Sequence, residues 1–213
     1  ALDTAGALID PHGGRRDLEE HRLRHVSEAF AEDPLRVLRV ARFWARFHAL
    51  GFTIVPETMA LMTQLAESGE LAALTAERVW LETHKALEAS HPEYYFIALQ
   101  QCGALDVVFP ELALLAGIPQ PVVHHPEGDV LTHTLLALKR AAALSHEPTV
   151  RFAALLHDLG KGATDPDLLP HHYGHEKTGS ALVQGLCERL RVPKAFKRLA
   201  MTAAEHHGRC RYV

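Results

Sequence analysis

Leu155-Leu156-His157-Asp158-Leu159-Gly160-Lys161 sets a histidine beside an aspartate at the end of an apolar run, with His133 upstream and His175-Glu176 downstream. Both side chains carry lone pairs, and burying them without partners is costly. A divalent metal removes that cost. Imidazole with carboxylate suits first-row ions such as Mn, Fe, Ni or Zn, and one carboxylate can bridge two ions. The spacing predicts a helix over 149–159 that turns Phe152, Ala153, Leu155, Leu156 and Leu159 inward and stops at Gly160 as the C′ residue. His157 and Asp158 then fall on its last turn, where side chains can leave the core. An aspartate there opposes the helix dipole, and a bound cation relieves the conflict. His133 falls near the start of the preceding helix, which can pack antiparallel to this one. His171 and His172 read as loop histidines, and His206-His207 is a further pair. Lys161 either stabilises charge on a phosphate or is a solvated lysine.

A second constellation lies in Glu32-Asp33-Pro34-Leu35-Arg36-Val37-Leu38-Arg39. Asp33, Arg36 and Arg39 step by three, so they share one helical stripe. A carboxylate and guanidinium groups held this way offer acceptors and donors that can mimic a base-pairing edge. Asp33 is equally a good N-cap, with Pro34 at the first helical position, and interleaved acids make the arginines of 15–46 read as a solvated surface.

The elements that position these residues are mostly helical. A short strand running into a turn is expected over 7–14 and a short helix over 17–23. Helices follow from Pro34, burying Val37, Val40 or Ala41, Trp44 and Phe47, then over 56–67, over 75–88 behind Thr75, and over 92–102 up to Gly103. Three prolines and two glycines make 117–128 the best linker, and a second helical block covers 130–145, 149–159, 175–190 and 193–206. At 213 residues and 47% hydrophobic, the chain can bury one large or two small cores. The formal charge of -4 gives no net attraction for nucleic acid. No run approaches the roughly 20 apolar residues of a membrane span. Cys102, Cys187 and Cys210 are scattered with no CxxC spacing, which points to a reducing cytoplasm rather than a disulfide framework.

Residues 155–161 with His175-Glu176-Lys177-Thr178-Gly179 resemble the HD phosphohydrolase superfamily of metal-dependent phosphate-ester hydrolases. Upstream, Asp10-Pro11-His12-Gly13-Gly14 with Asp17-Leu18, Arg24-His25-Val26-Ser27 and Phe30 to Arg39 are similar to the bacterial CCA-adding tRNA nucleotidyltransferases. Leu74 to Glu82, Cys102-Gly103-Ala104-Leu105 and Phe109-Pro110-Glu111-Leu112 continue the likeness, and an HD module behind a Pro-rich segment resembles that family's multifunctional subtype. The resemblance covers essentially the whole chain. It implies a mostly α fold with a short residual strand near the N-terminus. The expected divisions are the end of the nucleotidyltransferase head at 1–26, a neck and helical body at 27–117, a linker at 118–128 and a C-terminally incomplete HD domain at 129–213.

By the same resemblance Asp33 and Arg36 select incoming CTP or ATP, Arg36 and Arg39 bind nucleotide, and the tRNA 3′ end is the acceptor. In the HD module His133, His157, Asp158, His175 and His207 hold the metal, while His157, Asp158 and Lys161 act on substrate. The implied activities are 2′,3′-cyclic phosphodiesterase, 2′-nucleotidase and phosphatase, with nickel or another divalent metal there and magnesium in the head. The setting is cytoplasmic and allows a homo-oligomer. The family's head also needs a Gly-rich turn, a paired Asp-x-Asp for magnesium and an arginine-bearing strand. That arrangement is not found ahead of the neck, and two-metal nucleotidyl transfer requires those carboxylates. A further aspartate ligand is expected past Val213. The chain therefore reads as a piece of such an enzyme. Two other readings stand beside it: a poly(A) polymerase relative without a working HD site, and a non-catalytic helical module gripping the tRNA elbow.

Overall fold

The computed structural model describes residues 4–6, 9–123 and 125–212, with side chains as far as Arg209. The fold is mostly α, as expected. Its first turn departs from the expected strand at 7–14, of which Ala7 and Leu8 lie outside the described residues. The Asp10 carboxylate accepts from Gly14 N at 2.8 Å and Arg15 N at 2.9 Å, so a helix, α1, starts early and spans Gly14–Glu19 rather than 17–23. The strands fall later: Arg22–Leu23 (β1) pairs in parallel with Thr53–Ile54 (β2).

Leu35–Phe47 forms α2, and Asp33 Oδ1 caps it by accepting from Leu35 N at 3.1 Å. Its inward face is Val37, Leu38, Ala41 and Ala45; Trp44 is only half-buried and donates to Phe52 O at 3.0 Å. Pro56–Glu67 (α3), Ala76–Leu87 (α4), Glu93–Gln101 (α5), Ala104–Val108 (α6) and Pro110–Ala113 (α7) complete the first half, with α2 packed on α4 and α5. Gly103 separates α5 from α6 at φ +75°, a left-handed backbone that favours glycine.

In the second half Val130–Leu144 (α8) opens on Asp129, whose carboxylate accepts from Leu131 N at 3.0 Å and Thr132 N at 3.1 Å. Pro148–Leu156 (α9), His175–Arg189 (α10) and Lys194–His206 (α11) follow; α9 packs on α8, and α11 lies against both α9 and α10. The expected helix 149–159 ends at Leu156, and Leu159–Ala163 tightens into a 3₁₀ turn. Gly160 is therefore not a C′ residue. A Cβ there would lie 2.0 Å from His175 O and 2.6 Å from Gly179 N. The glycine permits the turn to cross α10 in backbone contact.

One hydrophobic core runs from Phe30 to Ala204 through both halves. Trp80 of α4 meets Phe152 of α9 edge-on at 5.4 Å and Phe196 of α11 at 5.0 Å. Such aromatic pairs add about 0.5–1.5 kcal/mol each beyond the area they bury. Arg151 of α9 is 2% exposed, and its guanidinium donates to Leu87 O, Ala89 O, Ala142 O and Ser145 O. It thereby ties the end of α4 to the end of α8. The expected linker is likewise folded down: Pro119 bridges to Asp129, Gln120 N donates to Gly128 O, and the Gln120 side chain is buried. Among the described residues no helix is long and apolar enough to cross a membrane.

Candidate metal centre and nucleotide cavity

Four helix ends converge on Asp158. His133 sits on the first turn of α8, His157 follows the last residue of α9, His175 opens α10, and His207 follows the last residue of α11. Asp158 is 2% exposed. Its Oδ2 faces His157 Nε2 at 3.2 Å and His133 Nε2 at 3.5 Å, and its Oδ1 faces His207 Nε2 at 3.1 Å and His175 Nε2 at 3.5 Å. The carboxylate thus divides the imidazoles into two pairs, one on each oxygen. His133-His157-Asp158 and Asp158-His175-His207 each bring three potential ligand atoms within 4.8 Å of one another.

The opposite ring nitrogens explain the orientation. His157 Nδ1 lies 2.7 Å from Ala154 O, His175 Nδ1 2.6 Å from His172 O, and His207 Nδ1 3.1 Å from Ala203 O. Carbonyls only accept, so these partners assign the proton to Nδ1. His133 Nδ1 meets Glu127 Oε1 at 2.5 Å. In the neutral rings all four Nε2 lone pairs then point inward. His175 Nε2 and His207 Nε2 are 3.2 Å apart, an arrangement that repels unless a proton or a cation lies between them. Asp158 Oδ1 is buried without a hydrogen bond of good geometry. A buried anion ringed by imidazoles locked through Nδ1 has the donor chemistry that a divalent transition metal takes, with outer partners in place. The residues fit the ion.

Where a proton rather than a cation sits at Nε2, the same rings serve the carboxylate. Burial alone would raise the Asp158 carboxyl, but the imidazoles of His157, His175 and His207 outweigh it and hold it well below the usual carboxylate range. Burial holds His133 below an ordinary histidine despite the Glu127 hydrogen bond, keeping its lone pair free. For His207, burial is outweighed by Asp158, and the ring is raised. Lys161 is 7% exposed, its ammonium held 2.7 Å from Asp158 Oδ2 and 2.7 Å from Gln120 Oε1. It lines the cavity but is already committed to Asp158. The cavity over the cluster has a volume of about 650 Å³.

Three neighbours were not singled out in the sequence. Glu127 orients His133 and lies 3.2 Å from His125 Nδ1, and Gln120 holds Lys161. Asp129 was the readable signal, because a cap at that position brings Glu127 back over the first turn of α8. His172, read as a loop histidine, ties its loop down through Thr164 Oγ1 at 2.8 Å and Pro119 O at 3.0 Å. His206 stays outside the cluster.

The second constellation is only partly assembled. Arg36 and Arg39 share the wall of a cavity of about 870 Å³ with Phe43, Phe47 and Phe52. Asp33 is not on that wall: Arg78 Nη2 donates to both its carboxylate oxygens at 2.9 Å. The only Asp-x-Asp spacing in the chain, Asp165-Pro166-Asp167, is used locally, Asp165 accepting from Asp167 N at 3.0 Å.

A helical unit that gathers histidines around the aspartate of a His-Asp pair defines an HD domain, and the HD domain family matches residues 130–212. The family described as "Probable RNA and SrmB- binding site of polymerase A" matches residues 51–115. The multifunctional CCA protein of Teredinibacter turnerae is 55% identical over 210 residues, and that of Haemophilus influenzae 56% identical over 213. These alignments take in 99% and 97% of the chain and 51% of each relative. A solved structure described as a complex of a CCA-adding enzyme with CTP shares the fold at a TM-score of 0.60 and 23% identity, over 97% of this chain and 43% of that one. The chain belongs to the family of the multifunctional CCA proteins. It spans about half the length of the relatives it matches.

Proposed function

We propose that the Asp158 cluster is the metal centre of a phosphate-ester hydrolase, and that this chain forms the neck, body and HD portion of an enzyme that adds or repairs the 3′-terminal CCA of tRNA from CTP and ATP. The observation that carries the hydrolase reading is the convergence of four Nε2 atoms on one buried carboxylate. His133, His157, Asp158, His175 and His207 would hold the ion, nickel being the first metal to test. A divalent cation there supplies a water of pKa near 7 in place of 15.7 and polarises a phosphoryl oxygen. The chain's own part is to keep Nε2 unprotonated through the Nδ1 bonds, to hold Asp158 ionised, and to fix its Oδ2 with Lys161. The matching substrates are nucleoside 2′,3′-cyclic phosphates, 2′-nucleotides and simple monoesters.

At the other end Arg36 and Arg39 suit nucleotide phosphates or base edges, with Asp33 positioned through Arg78 and α2. The RNA-binding family match over 51–115 supports contact of the body with tRNA. We divide the chain into a neck and body at 27–117 and an HD portion at 129–213; the RNA-binding match takes in only 51–115 of the first, and the HD match 130–212 of the second. The setting for such chemistry is the cytoplasm. The test is hydrolysis of 2′,3′-cyclic AMP by the purified chain with added nickel, manganese or magnesium. Turnover that needs metal and disappears in His157→Ala is expected; equal turnover in the mutant would move the chemistry elsewhere.

A further inference from the structure

The loop 170–174 carries the side chain in the HD cavity that the fold uses least. Tyr173 is 77% exposed, although it lies between two anchored residues. His172 before it is tied to Thr164 and Pro119, and His175 two positions later belongs to the Asp158 cluster. Between them Gly174, at φ +74°, turns the chain into α10. The backbone under Tyr173 is therefore fixed while its ring stays free. Among the described residues the ring pairs with one other ring, in a near-parallel stack on His171 with centroids 5.7 Å apart and planes 24° off. The phenol has no hydrogen-bond partner among the described residues.

An exposed tyrosine of this size gives up hydrophobic stabilisation that burial would have supplied. Its position gives it another use. His171, Tyr173 and Pro170 line the same cavity of about 650 Å³ as His133, His157, Asp158, His175 and His207. The lining thus combines the candidate metal ligands with aromatic rings and a proline. A ligand that satisfies both kinds of group carries a planar ring joined to a phosphate, and the volume is within the usual range for small-molecule sites.

We infer that Tyr173, backed by His171, is a nucleobase platform, the side chain that makes the HD cavity prefer nucleoside phosphates to simple monoesters. This rests on the phosphate-ester reading of the Asp158 cluster. Stacking reads the π-face that every base has, so the site accepts all four bases and favours purines, whose larger rings stack better.

The test uses the full chain loaded with Ni²⁺ and two ligands with the same headgroup: a non-hydrolysable phosphonate analogue of 2′-AMP, and methylphosphonate. Affinities are measured by titration calorimetry for the wild type, Tyr173→Phe and Tyr173→Ala, with metal content checked in each. The nucleoside phosphonate is expected to bind at least about tenfold tighter than methylphosphonate, Tyr173→Phe to keep that preference, and Tyr173→Ala to lose about tenfold for the nucleoside ligand alone. An unchanged nucleoside affinity in Tyr173→Ala, at full metal content, overturns the platform and leaves the metal centre standing. Binding of neither ligand to the metal-loaded wild type overturns the phosphate-ester reading, and the platform with it.

Discussion

Asp158 gathers four imidazoles on one carboxylate. It is nearly sealed from solvent, and its two oxygens serve different imidazole pairs. Replacing it with asparagine removes the charge while keeping the shape. Asp158→Asn is expected to lower nickel affinity by well over the tenfold to hundredfold typical of an outer partner; elemental analysis after gel filtration reads this, and unchanged metal content would exclude Asp158 as a ligand. The pH dependence has a definite sign. Metal binds neutral imidazole, so protons compete. His207 is raised by Asp158, so its competition persists to higher pH than for a free histidine. Nickel affinity should therefore rise with pH across roughly 5.5 to 7.5, spanning the free-histidine value of about 6.5. A flat profile would mean that the histidines are not ligands.

The helices matter to the site through their ends. The ends differ in how far the sequence reveals them. Asp129 capping α8 and Pro148 opening α9 are local chemistry, visible in the sequence because the capping atoms lie within three residues. The end of α9, at Leu156, falls three residues short of the expected one because its cause is distant. Leu159–Ala163 tightens so that Gly160 can meet the backbone at His175 and Gly179. A contact between residues 15 and 19 positions apart leaves no periodicity to read. The same distinction separates the two constellations. His157-Asp158 announced itself as an adjacent pair, whereas the commitment of Asp33 to Arg78 depends on how α4 lies along α2. Gly160→Ala is the test at this scale. A methyl 2.0 Å from His175 O cannot be absorbed by rotating a side chain, because its neighbours are backbone. The turn and the start of α10 must part, carrying Asp158 away from His175. The substitution is expected to cost about 3 kcal/mol or more, at the high end for overpacking, and to abolish stoichiometric metal. Urea melts and metal analysis read the two effects; a variant of native stability and full metal content would refute the crossing.

Across the whole molecule the two halves share their interior. The sequence divides near 118–128, where prolines and glycines gather, and the family matches divide in the same region. Composition marks where a chain can turn but is silent about what packs across the turn. Here Trp80 from the first half lies between Phe152 and Phe196 of the second, and Arg151 binds carbonyls from both. Separating the halves would expose those aromatic faces and leave the carbonyls at Leu87 and Ala89 without their donor, at about 1–3 kcal/mol for each buried group left unpaired. Cooperative unfolding follows from that linkage. The chain has two tryptophans, Trp44 and Trp80, so Trp44→Phe leaves a single fluorophore at the junction. In that variant tryptophan fluorescence and far-ultraviolet circular dichroism should give coincident urea transitions, the behaviour of one cooperative unit. Arg151→Met, which removes the charge and the donors but keeps much of the volume, should move both curves together to lower urea, by about 3 kcal/mol in stability. Fluorescence melting ahead of helicity would instead show the junction opening first, and the halves to be separate domains in contact.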